Sequence, residues 1–109
     1  MTQAELDATV LNEVARQEAQ IRRRPRPEPW RRWDVQRDEE DRERGPLYSP
    51  QWFGALAADE AGRVRFLRTV RRLEAAGLLA IGRSPAGKLE RVKLTKAGRK
   101  AVADAAKAG

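Results

Sequence analysis

The side chains best suited to specific chemistry are the arginines of "RVRFLRTVRR", residues 63–72. On a helix that turns by about 100° per residue, Arg65, Arg68 and Arg72 fall within about 60° of one another. Guanidinium groups aligned in this way can fork onto phosphate oxygens or onto the O6 and N7 atoms of guanine. The spacing therefore favours a helix that meets an anionic partner, although a merely solvated basic face has the same composition.

Enzymatic chemistry has few candidates in this chain. Its 109 residues include neither histidine nor cysteine, which removes the commonest general base, the thiolate nucleophile and the usual transition-metal ligands. The carboxylates between Asp34 and Glu43 lie in a segment with almost nothing to bury, which is typical of a solvated charged stretch and not of a catalytic pair. We therefore expect no enzyme, no cofactor and no metal.

The formal net charge of +7 is unevenly distributed along the chain. Residues 1–62 hold 10 arginines and 13 acids, net −3, whereas residues 63–109 hold 13 lysines and arginines and 3 acids, net +10. This polycation predicts an anionic partner. Nucleic acid is favoured over a membrane because the basic face carries few large apolar side chains and no apolar run approaches about 20 residues. The lack of cysteine fits a reducing interior, so we expect a cytoplasmic protein.

Residues 1–24 predict an amphipathic helix from about Thr2 to Arg23. Thr2 and Glu5 have the spacing of a capping box, which satisfies amides at a helix start. Apolar residues then recur at helical spacing and form one stripe, made of Leu6, Val10, Val14 and Ile21 with Leu11 beside them. The stripe packs on the domain's own core in one interpretation and on the same helix of a second copy, giving a homodimer, in the other.

Residues 25–46 predict a charged, proline-containing linker, since Pro25 and the two prolines that follow it end the first helix. A charged helical piece is expected within residues 33–44. Arg24 and Arg26 alternate with prolines, which suits either a plain linker or an arm in a DNA minor groove. Trp30 and Trp33 would be costly to leave in water, so we expect them to fold back onto the domain. A platform on which bases stack is the alternative.

The compact domain is predicted to occupy residues 47–109 and to open with two helices. Ser49 is a suitable N-cap for a helix over residues 50–58, and Asp59 is placed to cap another over residues 61–76. Gly77 suits the left-handed position at the end of that second helix. The candidate buried residues of the first of these helices are Trp52, Phe53 and Leu56.

A hairpin and a last helix complete this domain. Residues 78–83 and 88–94 predict two strands joined by a turn at residues 84–87, and Thr95 is placed to cap a final helix. The predicted fold class is therefore mainly α with a small β-hairpin wing.

The stretches "LRTVRRLEAAGLL" (residues 67–79) and "RVKLTKAGRKAV" (residues 91–102), separated by the predicted hairpin, carry a family resemblance. They resemble the winged helix-turn-helix domain of MarR-type and related bacterial and archaeal regulators. In those proteins a "RxLxxLExxGL" recognition helix precedes the wing and "LTxxGR" opens the next helix. The resemblance covers residues 50–106.

The resemblance implies roles for particular residues. Gly77 would end the recognition helix, and the core would include Leu73, Leu78, Val92 and Leu94. The face that meets the major groove would carry Arg63, Arg65, Arg68, Thr69 and Arg72. Arg83 and Lys88 at the wing tip would meet phosphates or the minor groove. Phe66 and Leu67 stand where the family has small polar residues.

The function expected from these observations is that of a small DNA-binding protein, a prokaryotic transcriptional regulator whose partner is double-stranded DNA. The alternative is a winged-helix adaptor that binds an acidic protein or RNA.

Overall fold

The computed structural model describes residues 1–108. The elements follow in the order α1 (Gln3–Arg23), α2 (Arg32–Arg44), a 3₁₀ helix (Pro50–Ala57), α3 (Glu60–Ala75), β1 (Leu79–Arg83), β2 (Leu89–Leu94) and α4 (Lys96–Ala108). Over these residues the chain is mainly helical with one two-stranded antiparallel hairpin. The coarse fold class predicted from the sequence is confirmed.

Helix α1 begins at the expected capping box and supplies one wall of the core. The backbone amide of Glu5 donates to the Thr2 hydroxyl at 3.1 Å, and the Thr2 amide donates to the Glu5 carboxylate at 3.2 Å. α1 packs against α3, β2 and α4. Its stripe residues are all buried within the chain: Leu6, Val10, Val14 and Ile21. These four side chains, which the sequence also offered for dimerisation, have no surface left for a second copy in this arrangement.

Aromatic stacking joins the 3₁₀ helix to α3. The rings of Phe53 and Phe66 lie parallel with their centroids 4.1 Å apart. Both side chains are buried in the same cluster as the predicted core residues Leu73, Val92 and Leu94, and Leu78 packs at its edge. Leu56 was also expected inside, but it is half-exposed because it lies beyond a bend of the 3₁₀ helix at Gly54, where φ is 55°.

Side-chain caps fix the ends of the elements where the sequence predicted them. The Ser49 hydroxyl accepts from the amide of Gln51 at 3.2 Å, and the Asp59 carboxylate accepts from the amide of Gly62 at 2.7 Å. Gly77 has φ 80° after the end of α3. The Thr95 hydroxyl accepts from the Gly98 amide at 3.0 Å and so caps α4.

The hairpin is regular up to its tip and is covered on one edge. Leu79 pairs with Leu94 and Ile81 with Val92, and the register shifts after Gly82. Leu47, in the segment before the 3₁₀ helix, forms an isolated bridge with Arg91 on the other edge of β2. The chain therefore contacts both edges of β2.

Residues 25–46, predicted as a charged, proline-containing linker, are tied to the rest of the chain by ion pairs. The expected helical piece forms as α2, and buried charges hold it against the domain. Asp38 is 5% exposed and accepts from Arg24 at 2.5 Å and from Arg42 at 2.7 Å. Arg91 of β2 is 3% exposed and donates to Asp41 at 2.6 Å and to the Gly45 carbonyl at 2.8 Å. Composition predicted a solvated stretch because paired charges, which can be buried, look the same in sequence as free ones.

The expectation that Trp30 and Trp33 fold back onto the domain is wrong. Their exposed fractions are 75% and 83%. The buried residue of α2 is Asp38, which pairs with Arg24 at the end of α1 and lies about 140° around the helix from Trp33. The side of α2 that carries Trp33 therefore faces solvent.

Candidate nucleic-acid interface

Helix α3 is positioned by its cap and by its buried side. A Cβ at Gly62 would overlap the carbonyl oxygen of Leu56, so the first turn of α3 packs directly on the preceding backbone. Further along, Phe66, Val70 and Leu73 are at most 1% exposed and tie the helix to the core. The opposite side of α3 is therefore fixed as an outer surface of the molecule.

The outer side of α3 is centred on Val64, Arg68 and Arg71, all of which are exposed. This differs from the arginine sector predicted from the sequence. At about 100° per residue, the direction away from Phe66, Val70 and Leu73 falls nearest to Arg68 and Val64, and Arg71 lies within about 50° of it. Arg71 was missed although the apolar positions alone were enough to find it. Arg65 is also exposed, on one flank of this surface, and Arg63 is exposed in the first turn of α3. We call Arg63, Val64, Arg65, Arg68 and Arg71 the arginine face.

Thr69, expected on the DNA-contacting face, is 2% exposed. Its hydroxyl donates to the Arg65 carbonyl at 3.0 Å and accepts from the side-chain amide of Gln3 at 3.3 Å. The N-terminal turn of α1 therefore lies over this position. Thr69 positions α1 against α3 and has no access to a base edge in this structure.

Arg72 is half-exposed and forms an ion pair with Asp7 of α1. Partial burial raises the pKa of Asp7, but hydrogen bonds from Arg72 and Gln3 outweigh it and leave that pKa below its ordinary value. The Arg72 guanidinium is therefore already engaged within the chain. It borders an open groove of roughly 560 Å³ between α1 and α3, which Arg65 and Arg68 also line.

The hairpin tip places Arg83 and Lys88 at an exposed edge. The tip is shaped by Ser84, whose carbonyl accepts from the Gly87 amide at 2.8 Å and whose hydroxyl accepts from the Lys88 amide at 3.2 Å. Arg83 pairs with Glu74 of α3 at 3.1 Å, and this contact joins the hairpin to the end of α3. Over residues 1–108 Lys88 has no ion pair within the chain.

The acids of α2 that form ion pairs do so with arginines outside the arginine face. Asp38 pairs with Arg24, Arg26 and Arg42, and Asp41 pairs with Arg24 and Arg91. None of the ion pairs in the described part of the chain involves an arginine of the arginine face. The acidic segment therefore makes no ion pair with this surface within residues 1–108.

Comparisons with family models, with curated proteins and with solved structures return no match. In residues 1–108 there is no cluster of three side chains able to hold a metal ion. The helices of the same residues are too short or too polar to cross a bilayer. A function is therefore best argued from the arginine face and its surroundings.

Proposed function

We propose that this chain is a small DNA-binding protein of the winged helix-turn-helix type that regulates transcription in the cytoplasm of a prokaryote. The observation that carries the proposal is the arginine face of α3, which is exposed, basic and free of acidic partners in residues 1–108. The partner is double-stranded DNA, whose phosphates match this charge.

The order of the elements supports the winged-helix proposal. The 3₁₀ helix, a turn capped by Asp59 and α3 make a helix, a turn and a helix, and the hairpin of β1 and β2 follows at once. The bridge between Leu47 and Arg91 adds a short third strand position beside the hairpin. In this arrangement α3 would enter a major groove about 12 Å wide, and the hairpin would reach the adjacent backbone.

Specificity is expected to be modest. Thr69 is buried, so base reading would fall to Arg65, Arg68 and Arg71, each of which can contact guanine but can equally contact phosphate. Val64 offers only an apolar contact, such as one to a thymine methyl group. A strong sequence-independent background should therefore accompany any preference.

The test is a titration of random duplex DNA over a salt series, read by fluorescence anisotropy. The double variant Arg68→Ala/Arg71→Ala should bind more weakly, and its slope of log K against log salt should be shallower by roughly two, since about one counterion is released per phosphate contact. The matched control is Lys100→Ala/Lys107→Ala, which removes the same charge from two exposed positions of α4. Arg42 would be an unsuitable control because it pairs with the buried Asp38.

Salt-insensitive binding, or equal losses in the two double variants, would contradict the proposal. Tighter binding to RNA than to duplex DNA, or no binding to DNA at low salt, would favour an adaptor whose partner is RNA or an acidic protein.

A further inference from the structure

Two tryptophans project into solvent at the start of α2. Trp30 is 75% exposed and Trp33 is 83% exposed, and the aromatic contacts of residues 1–108 all lie elsewhere, among Tyr48, Trp52, Phe53 and Phe66. An indole ring is among the largest apolar surfaces that a side chain can expose, and large exposed apolar surface often marks an interaction site. Here two such rings are exposed within four residues.

The backbone beneath these two rings is held in place. Arg31 donates its amide to the Glu28 carbonyl at 3.0 Å and accepts from the Val35 amide at 2.9 Å, which fixes the turn into α2. Arg24, on the proline segment, forms an ion pair with Asp38. The backbone that carries the two indoles is therefore fixed by these contacts. A ligand that binds the indoles does not have to order this backbone first.

The surroundings of the indoles are basic. Residues 22–37 contain seven arginines and two acids. Arg24 and Arg26 pair with Asp38, and Arg31 pairs with Asp34. The remaining four arginines are exposed and have no ion pair within residues 1–108: Arg22, Arg23, Arg32 and Arg37. Arg37 lies one turn after Trp33 on the same side of α2.

We infer that Trp30 and Trp33, with Arg32 and Arg37, form a second nucleic-acid site that binds unpaired, single-stranded segments. Exposed aromatic rings stack on any base, and neighbouring arginines follow the phosphates. The site is separate from the arginine face and does not depend on the proposed function.

Two other partners fit the same residues less well. A membrane-binding helix inserts aliphatic side chains together with tryptophan. Residues 28–37 offer only Val35 beside the two indoles, among five charged side chains. An acidic peptide would be attracted by the arginines alone and would leave the two ring faces without a role.

The experiment compares two labelled strands of about 15 nucleotides, oligo(dT) and an abasic strand of the same length and charge. The full chain should bind oligo(dT) more tightly, because only that strand has bases to stack. Trp30→Ala and Trp33→Ala should each weaken oligo(dT) binding by between about fivefold and a hundredfold. Trp33→Phe should retain most of the affinity. Binding of the abasic strand and of duplex DNA should be unchanged in all three variants.

Leu56→Ala is the matched control, because it removes a half-exposed apolar side chain from the 3₁₀ helix, outside α2 and the segment that leads into it. Unchanged oligo(dT) binding in the tryptophan variants, or equal binding of the abasic strand, would overturn the inference. A parallel loss of duplex binding would also overturn it, since one surface would then bind both single-stranded and duplex DNA.

Loss of binding to anionic phospholipid vesicles in the tryptophan variants, or a lower mass of these variants in sedimentation, would instead assign the indoles to a membrane or to a second copy. Failure of the proposed function would appear separately, as absent duplex binding in the unmodified chain.

Discussion

Arg91 is an arginine that the chain uses for its own fold. It is buried between β2 and α2, where it donates to Asp41 and to the Gly45 carbonyl. Nothing in the sequence marks it, because its neighbours Glu90, Val92 and Lys93 resemble those of any exposed strand and Asp41 is 50 residues away. The charge of a residue can be read from sequence, whereas its partner depends on how distant segments pack.

Replacing Arg91 should therefore unfold the protein more easily. Arg91→Met leaves the Asp41 carboxylate without its buried partner, so we expect a loss of about 3–5 kcal/mol in the free energy of unfolding. Arg99→Met, which removes the partly exposed pair with Glu18, should cost no more than about 1 kcal/mol. Urea denaturation measures both. A second change, Asp41→Leu, should restore much of the stability of Arg91→Met, and equal losses in the two single variants would contradict this account.

Asp38 should make stability fall at acidic pH. Hydrogen bonds from Arg42, and to a smaller extent from Arg24, lower the pKa of Asp38 below its ordinary value against the opposing effect of burial. A carboxylate whose pKa is lower in the folded state stabilises the fold at pH values above its unfolded-state pKa, which is about 4. This stabilisation is lost as the pH falls through the folded-state pKa. Denaturation midpoints should thus be steady between about pH 7 and pH 5 and decrease below about pH 4. Asp38→Asn should flatten that decrease, and an unchanged slope would assign it to other carboxylates.

The arginine face illustrates which site residues sequence reasoning can find. Arg65 and Arg68 were found from their spacing, and both are exposed. Thr69 was misplaced because it was grouped with the arginines, although it lies beside the buried Val70 and within about 60° of Phe66 on the helix. Arg71 falls outside the predicted sector because that sector was defined by Arg65, Arg68 and Arg72 and not by the buried residues. Defining the outer side as the direction opposite the apolar stripe corrects both.

At the scale of elements, local signals located most ends. Thr2, Ser49, Asp59 and Thr95 each cap the helix expected of them, since a cap depends on two or three neighbouring residues. The bounds of α2 were predicted closely, but its packing was not. That packing depends on ion pairs with Arg24 and Arg91, which lie outside the helix. The exposure of the indoles follows from that docking and was mispredicted with it.

The start of α4 provides a test of packing between elements. A Cβ at Gly98 would overlap the carbonyl oxygen of Leu78, because the helix passes directly over that backbone. Gly98→Ala should therefore destabilise the protein by about 1–3 kcal/mol, although alanine is the better helix former by about 1 kcal/mol. Asp104→Ala, at an exposed position of the same helix, should change stability by less than about 0.5 kcal/mol. A higher thermal midpoint for Gly98→Ala would show that α4 docks differently.

At the scale of the whole molecule, the charge asymmetry of the sequence has a structural counterpart. The acids at positions 38 and 41 form ion pairs with arginines that hold α2 in place. They form no ion pair with the arginine face. Part of the positive charge on residues 63–109 is used within the chain, since Arg72, Arg91 and Arg99 pair with acids of residues 1–62. The arginine face and Lys88 at the hairpin tip have no ion pair within residues 1–108 and can meet an anionic partner. Composition alone predicted the excess of positive charge on residues 63–109, but it does not show which arginines pair with the acids of residues 1–62.

A homodimer remains a prediction, but the structure changes what the stripe on α1 should do. Val10 is fully buried in the core of a single chain. Val10→Ala should therefore lower the free energy of unfolding by about 2 kcal/mol, through lost burial and a cavity, without changing the mass measured by sedimentation. Its urea midpoint should also be independent of protein concentration, because a residue at a subunit interface would link unfolding to dissociation. Gln20→Ala, at an exposed position of α1, is the control and should alter neither quantity. A midpoint that rises with concentration in the unmodified chain and loses that dependence in Val10→Ala would place the stripe between two copies.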